Sequence, residues 1–227
     1  MAFEGGPVSA EPARDPLRAA AETMREVRDR CVWSQQITHR DLVPYLIEES
    51  HEVIDAVEDG SRADLREELG DLLWQVLFHA AIAAQDPDDP FDIDDVAATL
   101  TEKMVRRHPH VFADEVATTP EEVLVHWNAA KAAEKRARRS VLDGIPRGMP
   151  ALALAQKVAG RAEGAGVVVA RTDADGAGPA PSSEAELGDA LLRLVAVARA
   201  EGWDAERALR ERLRAVEAEV REAESEA

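Results

Sequence analysis

Apolar residues recur along this chain at helical spacing, in blocks separated by clear stop signals. Leu42, Leu46, Val53 and Val57 form one stripe, with Asp41 or Thr38 placed to cap its start, Pro44 in the first turn and Asp59-Gly60 ending it. A second stripe follows at once: Leu65, Leu69, Leu72, Leu73, Val76, Leu77 and Ala80 carry it to about Gln85, and Ser61 with Asp64 gives a capping-box start. So short a connection predicts an antiparallel helical hairpin. Asp92 to Arg107 reads as a third helix, closed before Pro109, which disfavours helix at His108. Thr119-Pro120-Glu121-Glu122 opens a fourth, running to about Arg139. Near the C-terminus, Leu187, Leu191, Leu194, Val195, Leu209, Leu213 and Val216 again recur at helical spacing, predicting a second hairpin over 182–227. Between the two halves, Gly164 to Ser183 is rich in Gly, Ala, Pro and Ser and carries no such pattern. The fold class expected is all-α, a helical bundle.

The polar positions of the first hairpin are unusual. Glu49 and Glu52 are three residues apart, as are Glu68 and Asp71, so each pair projects from one helix face. On the second helix, Glu68, Asp71, Gln75 and His79 form a polar seam bordered by apolar residues on both sides. One acidic pair in an acidic chain reads as solvated surface, but two pairs facing each other in one hairpin bring four carboxylates together. Gathering them is costly unless a cation compensates their charge. An all-oxygen set suits Mg²⁺, or Mn²⁺, rather than zinc. Glu48-x-x-His51 mimics half of a di-iron carboxylate site, but no second Glu-x-x-His is found to complete one. Lys103 and Arg107 share a face of the third helix, within a Lys-Arg-Arg-His cluster that includes Arg106. Such residues serve either the helix dipole or an anion.

Several motifs in order resemble one family. Cys31-Val32-Trp33, Thr38-His39, Tyr45 to Val53, Glu67 to Leu73 and Glu102 to Phe112 look like MazG, with the resemblance covering roughly residues 15–165. It implies an all-α nucleoside triphosphate pyrophosphohydrolase in which E-E-x-x-E, a spacer and E-x-x-D hold the metal. On that pattern Glu49, Glu52, Glu68 and Asp71 would be Mg²⁺ ligands, Lys103 and Arg107 would contact phosphate, and Arg106 and Lys131 would also bind the substrate. Glu48 would orient the attacking water or simply face solvent. Trp127 and Lys131 match the family's W-x-x-x-K, leaving Trp127 either a core residue or a nucleotide contact. Trp33 and His39 would border the nucleobase pocket, although Val32, Ser34 and Ile37 stand where the family commonly has Pro, Asp and Gln. His108 and His110 read as structural rather than metal-binding.

Composition narrows the partners. With 27 basic and 45 acidic residues the formal charge is −18, which argues against nucleic acid or an anionic membrane as a partner. The single cysteine, Cys31, makes no internal disulfide, and no leader or membrane-length apolar run is read, so a cytoplasmic protein is expected. The C-terminal hairpin resembles a worn copy of the first: Glu186 and Asp189 match Glu68 and Asp71, and Trp203-Asp204 matches Phe91-Asp92. The E-E-x-x-E helix is missing, and Ala215 and Glu219 fall opposite Lys103 and Arg107. Glu186 and Asp189 are then surface charges. The expected organisation is a flexible tail over 1–14, a catalytic domain over 15–163, a flexible linker over 164–183 and a degenerate hairpin over 184–227. The expected activity is Mg²⁺-dependent conversion of NTPs or dNTPs to the monophosphate and diphosphate, serving the nucleotide pool, in at least a homodimer. The alternative is a non-catalytic acidic helical scaffold that binds cations or a basic partner.

Overall fold

The computed structural model describes residues 15–134, 140–169 and 180–225. Among these residues there are helices and no strands. The chain divides into two compact units, Met1–Lys131 and Ala132–Ala227. The expected tail over 1–14, residues 135–139, half of the expected linker (170–179) and residues 226–227 lie outside the described residues.

The first unit is built on α3 (Arg62–Ala83), against which α1 (Pro16–Arg30), α2 (Val43–Glu58) and α4 (Ile93–Arg107) pack. α1 was not delineated by apolar periodicity, because only Ala21 and Met24 of its core face are both apolar and buried. Its start carries a local signal: the Asp15 side chain accepts from Leu17 N–H and Pro16 occupies the first turn. The core joins Ala21 and Met24 to Leu42, Leu77 and Phe78, with Ile37, Leu73, Trp74 and Ile93 around them.

The punctuation acts locally. Ser61 Oγ accepts from Ala63 and Asp64 N–H, both at 3.2 Å, while Asp64 accepts from Ser61 N–H at 2.7 Å, completing the capping box of α3. Asp92 and Asp95 do the same for α4. α2 differs from expectation. Its N-cap is Leu42, with no side-chain cap, and Asp41 instead accepts from the N–H and hydroxyl of Thr38 at 3.0 and 2.6 Å. Pro44 explains this, since its fixed φ favours the first turn and it has no N–H to satisfy. After His108, α5 (Pro109–Phe112) is a single turn, and α6 (Pro120–Glu134) begins at the expected proline.

The α2–α3 turn is closely packed. A Cβ on Gly60 would lie 2.6 Å from Ala56 Cα and 2.8 Å from its carbonyl oxygen. Gly60→Val is therefore expected to cost about 1–3 kcal/mol by distorting the last turn of α2 around Ala56, read as a lower denaturant midpoint at unchanged m-value.

In the second unit α7 (Ala151–Glu163), α8 (Glu184–Ala200) and α9 (Ala205–Ser225) pack on one another around Val195, which is 1% exposed. The Gln156 amide donates to Trp203 C=O and accepts from Ala205 N–H, both at 2.9 Å. Arg199 donates to Gln156 C=O at 3.1 Å and to Glu163 at 2.7 Å. These contacts place α7 with α8 and α9, within the second unit.

Candidate metal centre

Carboxylate oxygens of Glu49 on α2 and of Glu68 and Asp71 on α3 all lie within 4.8 Å of one another. The hairpin achieves this because α2 and α3 run antiparallel with their acidic pairs at matching heights. Glu49 and Glu68 are half-buried and Asp71 is exposed. Burial, then the charges of Asp71 and Glu52, raise the Glu49 pKa. Burial, then Glu52 and Asp71, raise that of Glu68. Glu52 is exposed and outside the set of three, but it acts electrostatically on both partners. The donors are all oxygens, mutually repelling and partly desolvated. That fits a hard divalent cation such as Mg²⁺ or Mn²⁺, which removes the repulsion it finds there.

The Gln75 amide donates to Glu49 Oε1 at 3.4 Å, helping to orient that carboxylate. Gln75 is 6% exposed. Glu48, one residue before Glu49, is exposed and not part of the converging set, since neighbours on a helix point about 100° apart. His51 Nδ1 bonds back to Ile47 C=O at 2.7 Å.

The other expected residues form separate groups. Arg107 places its guanidinium 4.9 Å from the Trp127 ring centre, and the His108 ring is 5.2 Å from the same indole. Trp127 is half-buried, Lys103 and Lys131 are half-buried one turn from Arg107 and Trp127 respectively, and Arg106 is exposed. His108 Nδ1 bonds Met104 C=O at 2.7 Å. Trp33, 52% exposed, makes edge contacts with Tyr45 and Phe78. His39 Nδ1 lies 2.7 Å from His79 Nδ1.

Arg28 carried no signal in the sequence. Buried at the end of α1, it donates to the carbonyls of Ser34 and Ile37 and to Gln85, holding the turn that presents Trp33. Glu186, at the position of the second unit that matches Glu68, is held differently. Glu186 accepts from Ser182 N–H and hydroxyl at 2.7 and 2.8 Å, which lowers its pKa. The same residue type thus titrates upward at position 68, among carboxylates, and downward at position 186, in a helix cap.

The profile of the MazG nucleotide pyrophosphohydrolase domain matches residues 37–112. An uncharacterized 26.1 kDa protein of Streptomyces cacaoi is 51% identical over 194 residues, 86% of this chain and 76% of that protein. A nucleoside triphosphate pyrophosphohydrolase of Mycobacterium tuberculosis is 52% identical over 148 residues, 65% of this chain and 45% of its own length. One of Escherichia coli is 42% identical over 154 residues, 67% of this chain and 58% of its own length. A crystal structure of a mazG-related protein from Thermotoga maritima aligns at 28% identity and a TM-score of 0.44, covering 50% of this chain and 97% of that one. The chain belongs to the MazG family of nucleotide pyrophosphohydrolases. It spans about half the length of the named pyrophosphohydrolases it matches.

Proposed function

We propose that this chain is a divalent-metal-dependent nucleoside triphosphate pyrophosphohydrolase, converting an NTP or dNTP and water to the monophosphate and diphosphate. The observation that carries the reading is the convergence of Glu49, Glu68 and Asp71 oxygens within 4.8 Å, with Glu52 adding its charge to the same group. These four carboxylates would hold Mg²⁺ or Mn²⁺. When bound, the cation supplies positive charge to the phosphate oxygens and makes a nearby water more acidic. The remaining roles belong to side chains. Gln75 keeps Glu49 oriented. Lys103 and Arg107, with Arg106 and Lys131, meet the oxygens left uncovered, and Trp127 under Arg107 fixes that guanidinium in place. Trp33 offers an exposed aromatic face to the nucleobase. Glu48 orients the attacking water. Glu186, engaged in its cap, takes no part.

Incubation with NTPs, dNTPs and Mg²⁺ followed by product separation tests this directly. Monophosphate and pyrophosphate are expected, and release of nucleoside diphosphate with orthophosphate overturns the reading.

The working unit proposed is an isologous homodimer in the cytoplasm, acting on the free nucleotide pool. Ile47, Val57 and Leu69, each at least half exposed on the α2–α3 hairpin, support a face that a second copy covers. Among the described residues no helix is long and apolar enough to cross a membrane. Light scattering at micromolar concentration is expected to give at least twice the 24.7 kDa chain mass, and a clean monomer contradicts it.

A further inference from the structure

The carboxylates do not exhaust the polar face of α3. Gln75 and His79 continue the line of Glu68 and Asp71, and each holds a buried polar atom with no hydrogen-bond partner, Gln75 Oε1 and His79 Nε2. Their other atoms are engaged, which defines what remains on offer. Gln75 Nε2 donates to Glu49, a carboxylate that only accepts, so Oε1 is the available acceptor. The His39 and His79 rings have planes 6° apart, centres 5.0 Å apart and facing Nδ1 atoms at 2.7 Å. They therefore lie edge to edge, joined by an N–H···N bond in which one ring donates and the other accepts. Burial, then the charge of His39, lowers the His79 pKa. A neutral His79 with Nδ1 engaged presents Nε2 as one donor or one acceptor. An unpaired buried polar atom is costly, and here two of them occupy adjacent turns of the helix that carries Glu68 and Asp71.

Spacing along the helix gives the dimensions of what pairs with them. At 1.5 Å per residue, Gln75 stands about 6 Å and His79 about 12 Å along the axis from Asp71. Phe78, next to His79, carries the exposed Trp33 ring at 6.1 Å. A molecule with phosphates at the carboxylates, an O–H donor one turn on and a planar polar edge two turns on fits this order. The phosphate chain has no donor for Gln75 Oε1, whereas a sugar hydroxyl does.

We propose that Gln75 and His79 form the nucleoside subsite of this centre, Gln75 Oε1 accepting from a sugar hydroxyl and His79 Nε2 bonding an edge of the base. This rests on the triphosphate reading above. His79→Phe keeps a planar ring and deletes the nitrogens. With Mg²⁺ it is expected to raise KM for a nucleoside triphosphate about ten- to a hundredfold with kcat little changed. Inhibition by tripolyphosphate, which has the phosphates without the nucleoside, stays as in the wild type. The wild type is further expected to bind a 2′,3′-dideoxynucleoside triphosphate less tightly than its parent, and Gln75→Met to erase that difference. An unchanged KM in folded His79→Phe, a parallel loss of tripolyphosphate inhibition, or a sugar preference that survives Gln75→Met overturns the assignment.

Should the variants not fold, nitrogen-15 NMR of the wild-type histidine side chains decides. A nucleoside monophosphate shifts the His79 Nε2 resonance and tripolyphosphate does not, while no shift with the monophosphate rejects the subsite. A wild type that releases no pyrophosphate from any triphosphate defeats the hydrolase reading alone, and the NMR titration still answers whether the nucleoside is held here.

Discussion

Glu68→Gln is expected to abolish pyrophosphate release while making the metal-free chain more stable. The substitution removes one negative charge with almost no change of volume, at a half-buried position where Glu52 and Asp71 repel it. Losing even an outer partner of a metal ligand costs about 10–100-fold, so loss of a ligand itself is expected to reach at least a hundredfold in turnover. The gain in stability comes from relieved repulsion. It is the usual trade between a strained site and a stable fold. Circular dichroism melts in chelator and turnover in Mg²⁺, measured on one preparation, check both halves. Unchanged turnover removes Glu68 from the cation site, and a lower melting temperature in chelator means that its charge was not a burden.

The second large effect is a pH-dependent stabilisation by Mg²⁺. Burial and the neighbouring carboxylates raise both Glu49 and Glu68 above the ordinary glutamate value in the metal-free fold. For a carboxylate whose pKa rises on folding, the native state binds more protons than the unfolded chain between the two values, so stability falls as pH rises through the folded one. The penalty is absent below the ordinary glutamate value of about 4.3 and complete above the raised values. Mg²⁺ counters the same repulsion, so its effect is greatest near neutral pH and fades as acid protonates the two groups. At a hundredfold excess over its Kd the ion is expected to stabilise by about 2.7 kcal/mol, several degrees in melting temperature. Melts with and without Mg²⁺ from mildly acidic to neutral pH, reversed by chelator, measure it. No stabilisation at neutral pH, or one that persists unchanged into acid, excludes this hairpin as the cation site.

Much of this protein is legible in one dimension because the rules that shape it are local. Ser61 with Asp64, Asp92, Pro109 and Pro120 each act within a few residues, and they set the helix starts and stops where the pattern predicts. The spacing of Glu68 and Asp71 needs only helical geometry to put both on one face. α2 was a partial exception, since proline geometry made the side-chain cap unnecessary there. What the sequence left open depends on partners far along the chain. His39 and His79 are 40 residues apart, and Arg28 reaches Gln85 across 57. No local pattern marks either pair. The assignment of α7 to the second unit rests likewise on Gln156 and Arg199 meeting groups on other helices, contacts that arise only once the helices pack. Helix formation, capping and same-face spacing are properties of neighbouring residues, so the sequence by itself determined the all-α architecture and the two acidic pairs. Which carboxylate oxygens converge, which polar atoms are buried without partners and where the units divide were decided by tertiary packing, because desolvation and long-range hydrogen bonds exist only between surfaces that folding has brought together.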